Sequence, residues 1–290
     1  MLALLIKPAA MRRKSNRAFV AHLVADGAFL ISGHDPASIR KQLIQILESN
    51  PDLTAVACGG DGTVNLLLNS IIGLPIKFAV APMGTGNDFA RHVGIKNLKI
   101  AEEILRNQFF INMDVGQISF PNATVKHFAA VASCGFDAQV NERANKLSGP
   151  DGPIKYIASV FGELKNLASV ALNLRYNDDS LDGRFTLVAV GNTSSYGGGM
   201  KITPAADLQD GLFSLTIVDQ ANRRTLVKVL PTVFTGRHVF HPKVSVDQTE
   251  QIEISGSHFS IYADGEKMGY GPATFKVLPG CVQLLAPQSK

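Results

Sequence analysis

The sequence predicts an α/β domain followed by an all-β one: a Rossmann-like parallel sheet over residues 1–114, then a β-rich domain over 115–290. Three observations predict it. Short apolar runs alternate with helical stripes up to Asp114, the pattern of repeated βα units around a covered parallel sheet. Two of those runs lead into glycine-bearing turns, Gly59 to Gly62 and Gly84 to Gly86. Beyond Asp114 a period of two takes over, as where Phe213, Leu215 and Ile217 alternate with Ser214 and Thr216.

The first domain opens with a strand at 2–6, a helix at about 16–26 and a strand at 29–32. Asp35 then caps a helix that has Pro36 at its first position and Ile39, Leu43, Ile46 and Leu47 as its core face. The chargeless run 53–57 reads as a strand buried on both faces. After the glycines, Val64, Leu67, Leu68, Ile71 and Ile72 form one helical face, with Asn65, Asn69 and Ser70 on the other. A strand at 76–80 and a stripe of Ile100, Ile104 and Leu105 complete the set. In the second domain strands are expected at 125–132, 184–191, 212–219, 251–255, 258–263, 274–278 and 282–285, interrupted by one long helix at about 153–172. Whether the last strand returns to the first domain stays open.

With 46% hydrophobic and 18% charged residues the chain has the balance of a soluble globular protein, not of a disordered one. A net charge of +4 with no long block of like charge leaves no nucleic-acid arm; the densest basic cluster is Arg12, Arg13, Lys14 and Arg17. Cys58, Cys134 and Cys281 are too few and too scattered for a disulfide framework or a CxxC metal site, which points to a reducing cytoplasm. No segment has the uninterrupted apolar length of a transmembrane helix.

The strand, glycine turn and helix around Gly59, Gly60, Asp61 and Gly62 read as a phosphate site. Glycines let the backbone approach an anion, and amides at the helix start point at it. The motif is neither a P-loop nor a G-x-G-x-x-G fingerprint. Asp61 is positioned to hold Mg²⁺ or its waters between nucleotide oxygens; the plainer reading makes it a helix cap bonded to the Val64 amide. The second turn, at the end of the neighbouring strand, would face the same crevice. Asp207, Asp210 and the carbonyl of Leu212 form an oxygen-rich loop of the kind hard cations take, or else a plain Asp-Gly turn. Asp264, Gly265 and Glu266 mark a turn from which two carboxylates emerge; the bland alternative is a hairpin with a solvated Glu. The seven histidines form no metal-binding pair, and His238 reads as a loop residue.

GGDGTVN at Gly59 to Asn65, followed by GTGNDFAR at Gly84 to Arg91, closely resembles the diacylglycerol kinase catalytic domain shared by bacterial lipid kinases, sphingosine kinases and ceramide kinases. Gly135 to Ala138, Tyr196 to Met200, Pro204 to Leu212, Gly236 to His238 and Asp264 to Glu266 continue the likeness along nearly the whole chain. The resemblance implies a β-sandwich second domain carrying a lipid pocket, and an active site in the cleft between the domains. It implies ATP as co-substrate, gripped by Gly59, Gly60, Asp61, Gly62, Thr63, Val64, Asn65, Thr85, Gly86 and Asn87. It makes Glu266 the general base for the lipid hydroxyl, with Asp264 beside it, places a structural Mg²⁺ at Asp207, Asp210 and Leu212, and lets Asp137 read the polar head of the substrate. One departure stands out. Where the family opens with Asn-Pro and a nearby glycine, this chain has Lys7, Pro8, Ala9, Ala10 and Met11, and Lys7 can place a positive charge on a phosphate instead.

The leading expectation is therefore an ATP-dependent lipid kinase, with diacylglycerol giving phosphatidic acid as the first substrate. A sphingoid base or another lipid alcohol is the near alternative, followed by an NAD kinase, which shares GGDGT, and by a catalytically silent nucleotide or lipid sensor. The expected setting is cytoplasmic and peripheral to a membrane, without nucleic acid, with a homodimer left open.

Overall fold

The computed structural model describes residues 1–136, 138–140, 143, 158–160 and 162–288. The chain divides into two compact units, Met1–Met113 with Pro279–Lys290, and Asp114–Leu278.

The first unit alternates β1 (Leu2–Ile6), α1 (Lys14–Ala25), β2 (Phe29–Ile31), α2 (Pro36–Ser49), β3 (Thr54–Gly59), α3 (Asp61–Ile71), β4 (Lys77–Pro82), α4 (Asp88–His92) and α5 (Leu98–Asn107). Its ladders are parallel in the order β2-β1-β3-β4, and Leu284 of the chain's final strand pairs in parallel with Phe78 of β4. Every residue of β3 is buried, as its chargeless sequence requires at the middle of a covered sheet. Asp35 caps α2 by accepting from the Ser38 amide at 2.9 Å, and Asn97 does the same for α5 at Ile100. The apolar face of α3 is buried as expected at Val64, Leu67, Leu68 and Ile71. Ser70, assigned to the polar face, is buried as well; its hydroxyl donates to the Leu66 carbonyl one turn back, so it reaches the interior without an orphaned polar group.

The second unit is built from β5 (Phe110–Ser119), β6 (Val125–Phe128), β7 (Val131–Gly135), β8 (Val170–Tyr176), β9 (Asp179–Gly191), β10 (Phe213–Asp219), α6 (Arg223–Val233), β11 (Val244–Thr249), β12 (Gln251–Gly256), β13 (Ser260–Ala263), β14 (Glu266–Tyr270) and the start of β15 (Ala273–Leu285). β9 links two antiparallel layers: its first half pairs with β8, which continues to β12 and β15, and its second half lies between β7 and β10. Inward residues of both layers share one core. Leu174, Ile252, Ile254 and Phe275 come from one layer, Val188, Val190, Leu215 and Ile261 from the other, and Phe128 stacks on Phe213 at 5.6 Å between ring centres. This is a β-sandwich.

Three expected elements change. The strand foreseen at 125–132 is two, broken at Ala129 and Ala130. The helix foreseen to 172 cannot extend that far, because Leu164–Asn166 is a 3₁₀ turn and β8 begins at Val170; its first part lies outside the described residues. The strands foreseen at 274–278 and 282–285 are one, β15, which runs through Pro279 and Gly280. No helix among the described residues is long and apolar enough to cross a membrane.

Candidate functional site

The two glycine turns of the first unit interlock. Gly59 ends β3 beside Pro82 of β4, and the Met83 amide donates to the Gly59 carbonyl at 3.0 Å. A Cβ on Gly84 would lie 2.5 Å from the Gly60 Cα, and one on Gly59 would lie 2.1 Å from the Thr63 hydroxyl. Only glycine permits this approach. Asn87, in the left-handed region with φ +54°, closes the second turn: its Oδ1 accepts from the Gly84 amide and its Nδ2 donates to the Gly84 carbonyl. Thr85 is exposed at the tip, and Lys7 is exposed at the end of β1, which pairs with β3. The structure thus brings Lys7, Gly59 to Asn65 and Gly84 to Asn87 to the carboxyl edge of adjacent parallel strands, where open α/β sheets bind ligands.

Asp61 is not the cap of its own helix. Gly60 holds that place, and its carbonyl takes the amides of both Thr63 and Val64. The Asp61 carboxylate instead reaches the start of α4, accepting from the Phe89 amide at 3.0 Å and the Asp88 amide at 3.3 Å. Burial, and then the neighbouring charge of Asp88, push its pKa up against those two hydrogen bonds. Asp88 is buried and ion-paired with Arg91 at 2.7 Å, and Arg91 also donates to the Gly86 carbonyl. Two acids and the Arg91 guanidinium therefore lie together behind the glycine turns. Asp88 belongs to the site although only its motif, not its role, stood out in the sequence.

In the second unit, Asp264 and Gly265 both have positive φ and form a two-residue hairpin turn, with Ala263 opposite Glu266. The Asp264 carboxylate accepts from the amides of Ala129 and Ala130, each at 2.8 Å. Expected beside the general base, it accepts from backbone amides and anchors the turn from which Glu266 emerges exposed.

Asp207 and Asp210 each bond an amide of their own loop, at Gln209 and Leu212, while the Gly211 amide donates to Asp114. Partial burial raises the Asp210 pKa, with Asp207 and Asp114 adding to the rise. Asp114, read from the sequence only as a boundary, is buried in β5 and bonded to this loop. Among the described residues no three acid, His or Cys side chains are grouped to hold a metal; the expected set is two carboxylates and a carbonyl, which suits an ion that keeps several waters. Asp137 lies outside the described residues.

The same unit contains a cavity of about 90 Å³ lined chiefly by hydrocarbon, including Val140, Val160, Leu187, Met200 and Val218. His238, expected as a loop residue, lines it and is 2% exposed. Its Nε2 lies 3.1 Å from the Ile202 carbonyl and so carries the hydrogen, while Nδ1 has no partner among the described residues. Burial lowers the His238 pKa and keeps the ring neutral.

Residues 2–118 match the diacylglycerol kinase catalytic domain, and residues 130–286 match the YegS C-terminal NAD kinase beta sandwich-like domain. A diacylglycerol kinase of Mycobacterium tuberculosis is 34% identical over 261 residues, covering 89% of this chain and 84% of that protein. One from Staphylococcus epidermidis is 33% identical over 247 residues, covering 83% and 76%. The solved structure of a putative diacylglycerol kinase from Bacillus anthracis str. Sterne superposes with a TM-score of 0.76 at 20% identity, covering 99% of this chain and 97% of that one, a likeness of fold.

Proposed function

The chain belongs to the diacylglycerol kinase family, and from that premise we propose that it moves the γ-phosphoryl group of ATP onto a lipid hydroxyl, diacylglycerol giving phosphatidic acid. The observation that carries the lipid reading is the apolar cavity, since NAD has no hydrocarbon chain to fill it. The interlocked glycine turns support the nucleotide half, since two backbone turns without Cβ atoms lie close together at the start of α3.

In this reading the hydroxyl oxygen attacks the γ-phosphorus, the bond to the β–γ bridging oxygen breaks, and Glu266 takes the hydroxyl proton, leaving ADP and a phosphomonoester lipid. Lys7 and the turn amides hold phosphate oxygens. Asp61 and Asp88 orient what lies against the turns, and Asp264 positions Glu266. Asp207, Asp210 and the Leu212 carbonyl would hold one Mg²⁺ structurally, and Asp61, whose oxygens already accept from two amides, would meet one on the phosphate side through its waters. Bound there, the ion offsets phosphate charge and clamps the acidic loop. The setting would be the cytoplasmic face of a membrane.

His238 favours a second substrate class. Its Nδ1, unpartnered among the described residues, is an acceptor in an apolar wall. A monoacylglycerol or a sphingoid base offers it a donor besides the reacting hydroxyl, and the esters of diacylglycerol do not. Incubation with γ-labelled ATP, Mg²⁺ and a panel of these lipids in mixed micelles, with NAD as competing acceptor, decides. Label in phosphatidic acid is the expected result; label only in NAD, or in no acceptor, overturns the lipid kinase reading.

A further inference from the structure

Helix α6 has two faces of different character. Leu226, Val229, Leu230 and Val233 line the apolar cavity. The other side is open to solvent, where Arg223, Val227 and Pro231 follow at four-residue spacing with Arg224 and Lys228 beside them. Val227 is 48% exposed, Phe234 at the end of the helix 38%, and Phe240 in the following 3₁₀ turn 82%. From Ala221 to His241 the chain has Arg223, Arg224, Lys228 and Arg237 and not one acid. Arg223 donates to the Lys165 carbonyl.

Apolar side chains left in water beside cations of a single sign have a specific complement. A protein partner of ordinary surface would place both signs of charge against such a face, whereas a bilayer rich in anionic lipid offers phosphates at one depth and hydrocarbon just below. We infer that the exposed face of α6, continued by Phe234, Arg237 and Phe240, is the surface by which this protein sits on an anionic membrane, with Val227, Phe234 and Phe240 inserted and Arg224, Lys228 and Arg237 on phosphates. The inference rests on the lipid kinase reading. It adds that the docking helix is itself a wall of the cavity, so a lipid drawn from the bilayer has one helix to pass.

The test is co-sedimentation of the full chain with vesicles of phosphatidylcholine alone and of phosphatidylcholine with phosphatidylglycerol, at low and high salt, with no nucleotide present. The parent should bind the anionic vesicles, release them in high salt and bind the neutral ones weakly. The pair Arg224→Glu with Lys228→Glu, and separately Phe240→Ser, should each weaken binding by about tenfold or more without shifting the melting temperature, because all three side chains are exposed. A parent indifferent to anionic lipid, or variants that bind like the parent, overturns the inference. So does a Phe240→Ser variant that changes the oligomeric state by light scattering while vesicle binding persists, which would make the face a protein interface. The two readings fail separately. Labelled phosphatidic acid in micelles together with variant-insensitive vesicle binding removes the docking face alone. Variant-sensitive binding with no labelled lipid removes the kinase reading alone.

Discussion

Asp61 gives both carboxylate oxygens to the amides of Asp88 and Phe89, and that changes what its removal does. Asp61→Ala should abolish turnover and also destabilise the fold by about 1–3 kcal/mol, because partly buried amides lose their acceptor. Denaturant melts and single-turnover rates separate the two effects. Activity within about tenfold of the parent would leave Asp61 only its structural task. Glu266 is the contrasting residue, exposed on the edge of a hairpin. Glu266→Gln keeps its shape and removes its basicity, so kcat should drop by about two orders of magnitude or more, with ATP affinity unchanged. A mutant whose main defect is lost ATP binding would move the base elsewhere.

At the scale of elements, the Asp264 hairpin joins three strands, because the carboxylate satisfies the two amides at the break between β6 and β7 while its own amide donates to Val131. Asp264→Ala orphans both amides. It should cost about 2–4 kcal/mol and lower kcat through a displaced Glu266, and unchanged melting would show that other groups take up those amides. The acidic loop gives a second prediction. Mg²⁺ should raise the melting temperature of the parent and raise that of Asp210→Ala less, by linkage to an ion that binds the folded state. Melting indifferent to Mg²⁺ and to chelators removes the structural ion.

Local periodicity made α2, α3, β3 and β4 legible, since capping and burial are encoded within a few residues of each. The break at Ala129 was not legible. Its partners are distant in sequence, the Asp264 carboxylate on the two amides and Asn192 and Thr193 on the two carbonyls, and nothing in an alanine pair announces them. The 3₁₀ turn at Leu164 and the polar strand β14 were obscured likewise, by tertiary pairing that overrides weak local patterns. The glycine motifs exposed the phosphate side of the site, because close backbone approach demands glycine. His238 and Asp114 were hidden, because a lone histidine or aspartate has no local signature of burial.

Across the whole molecule, buried groups pull stability in opposite directions as pH changes. Burial lowers the pKa of His127 and His238 below 6.5, so the unfolded chain takes up protons that the folded chain refuses, and stability contributed by these rings is lost as pH falls through that value. Asp61 and Asp210 are raised, so their contribution grows as pH falls through their folded pKa toward 3.8 and is absent at neutral pH. The melting temperature should therefore decline between about pH 7 and pH 5.5, and His238→Phe should flatten that slope. An unchanged slope in the variant would assign the decline to other groups.

The second unit is inserted in the sequence of the first, since the chain leaves after Met113 and comes back at Pro279, and Leu284 then pairs with Phe78. During synthesis this sets an order. The second unit can emerge and fold whole while the first still lacks its last strand, so the glycine turns stand on an unfinished sheet until Leu284 clears the ribosome exit. A nascent chain from which Leu278 but not Leu284 has emerged would hold all the described strands of the second unit and an uncovered β4 edge, a state open to mispairing and to capture by chaperones.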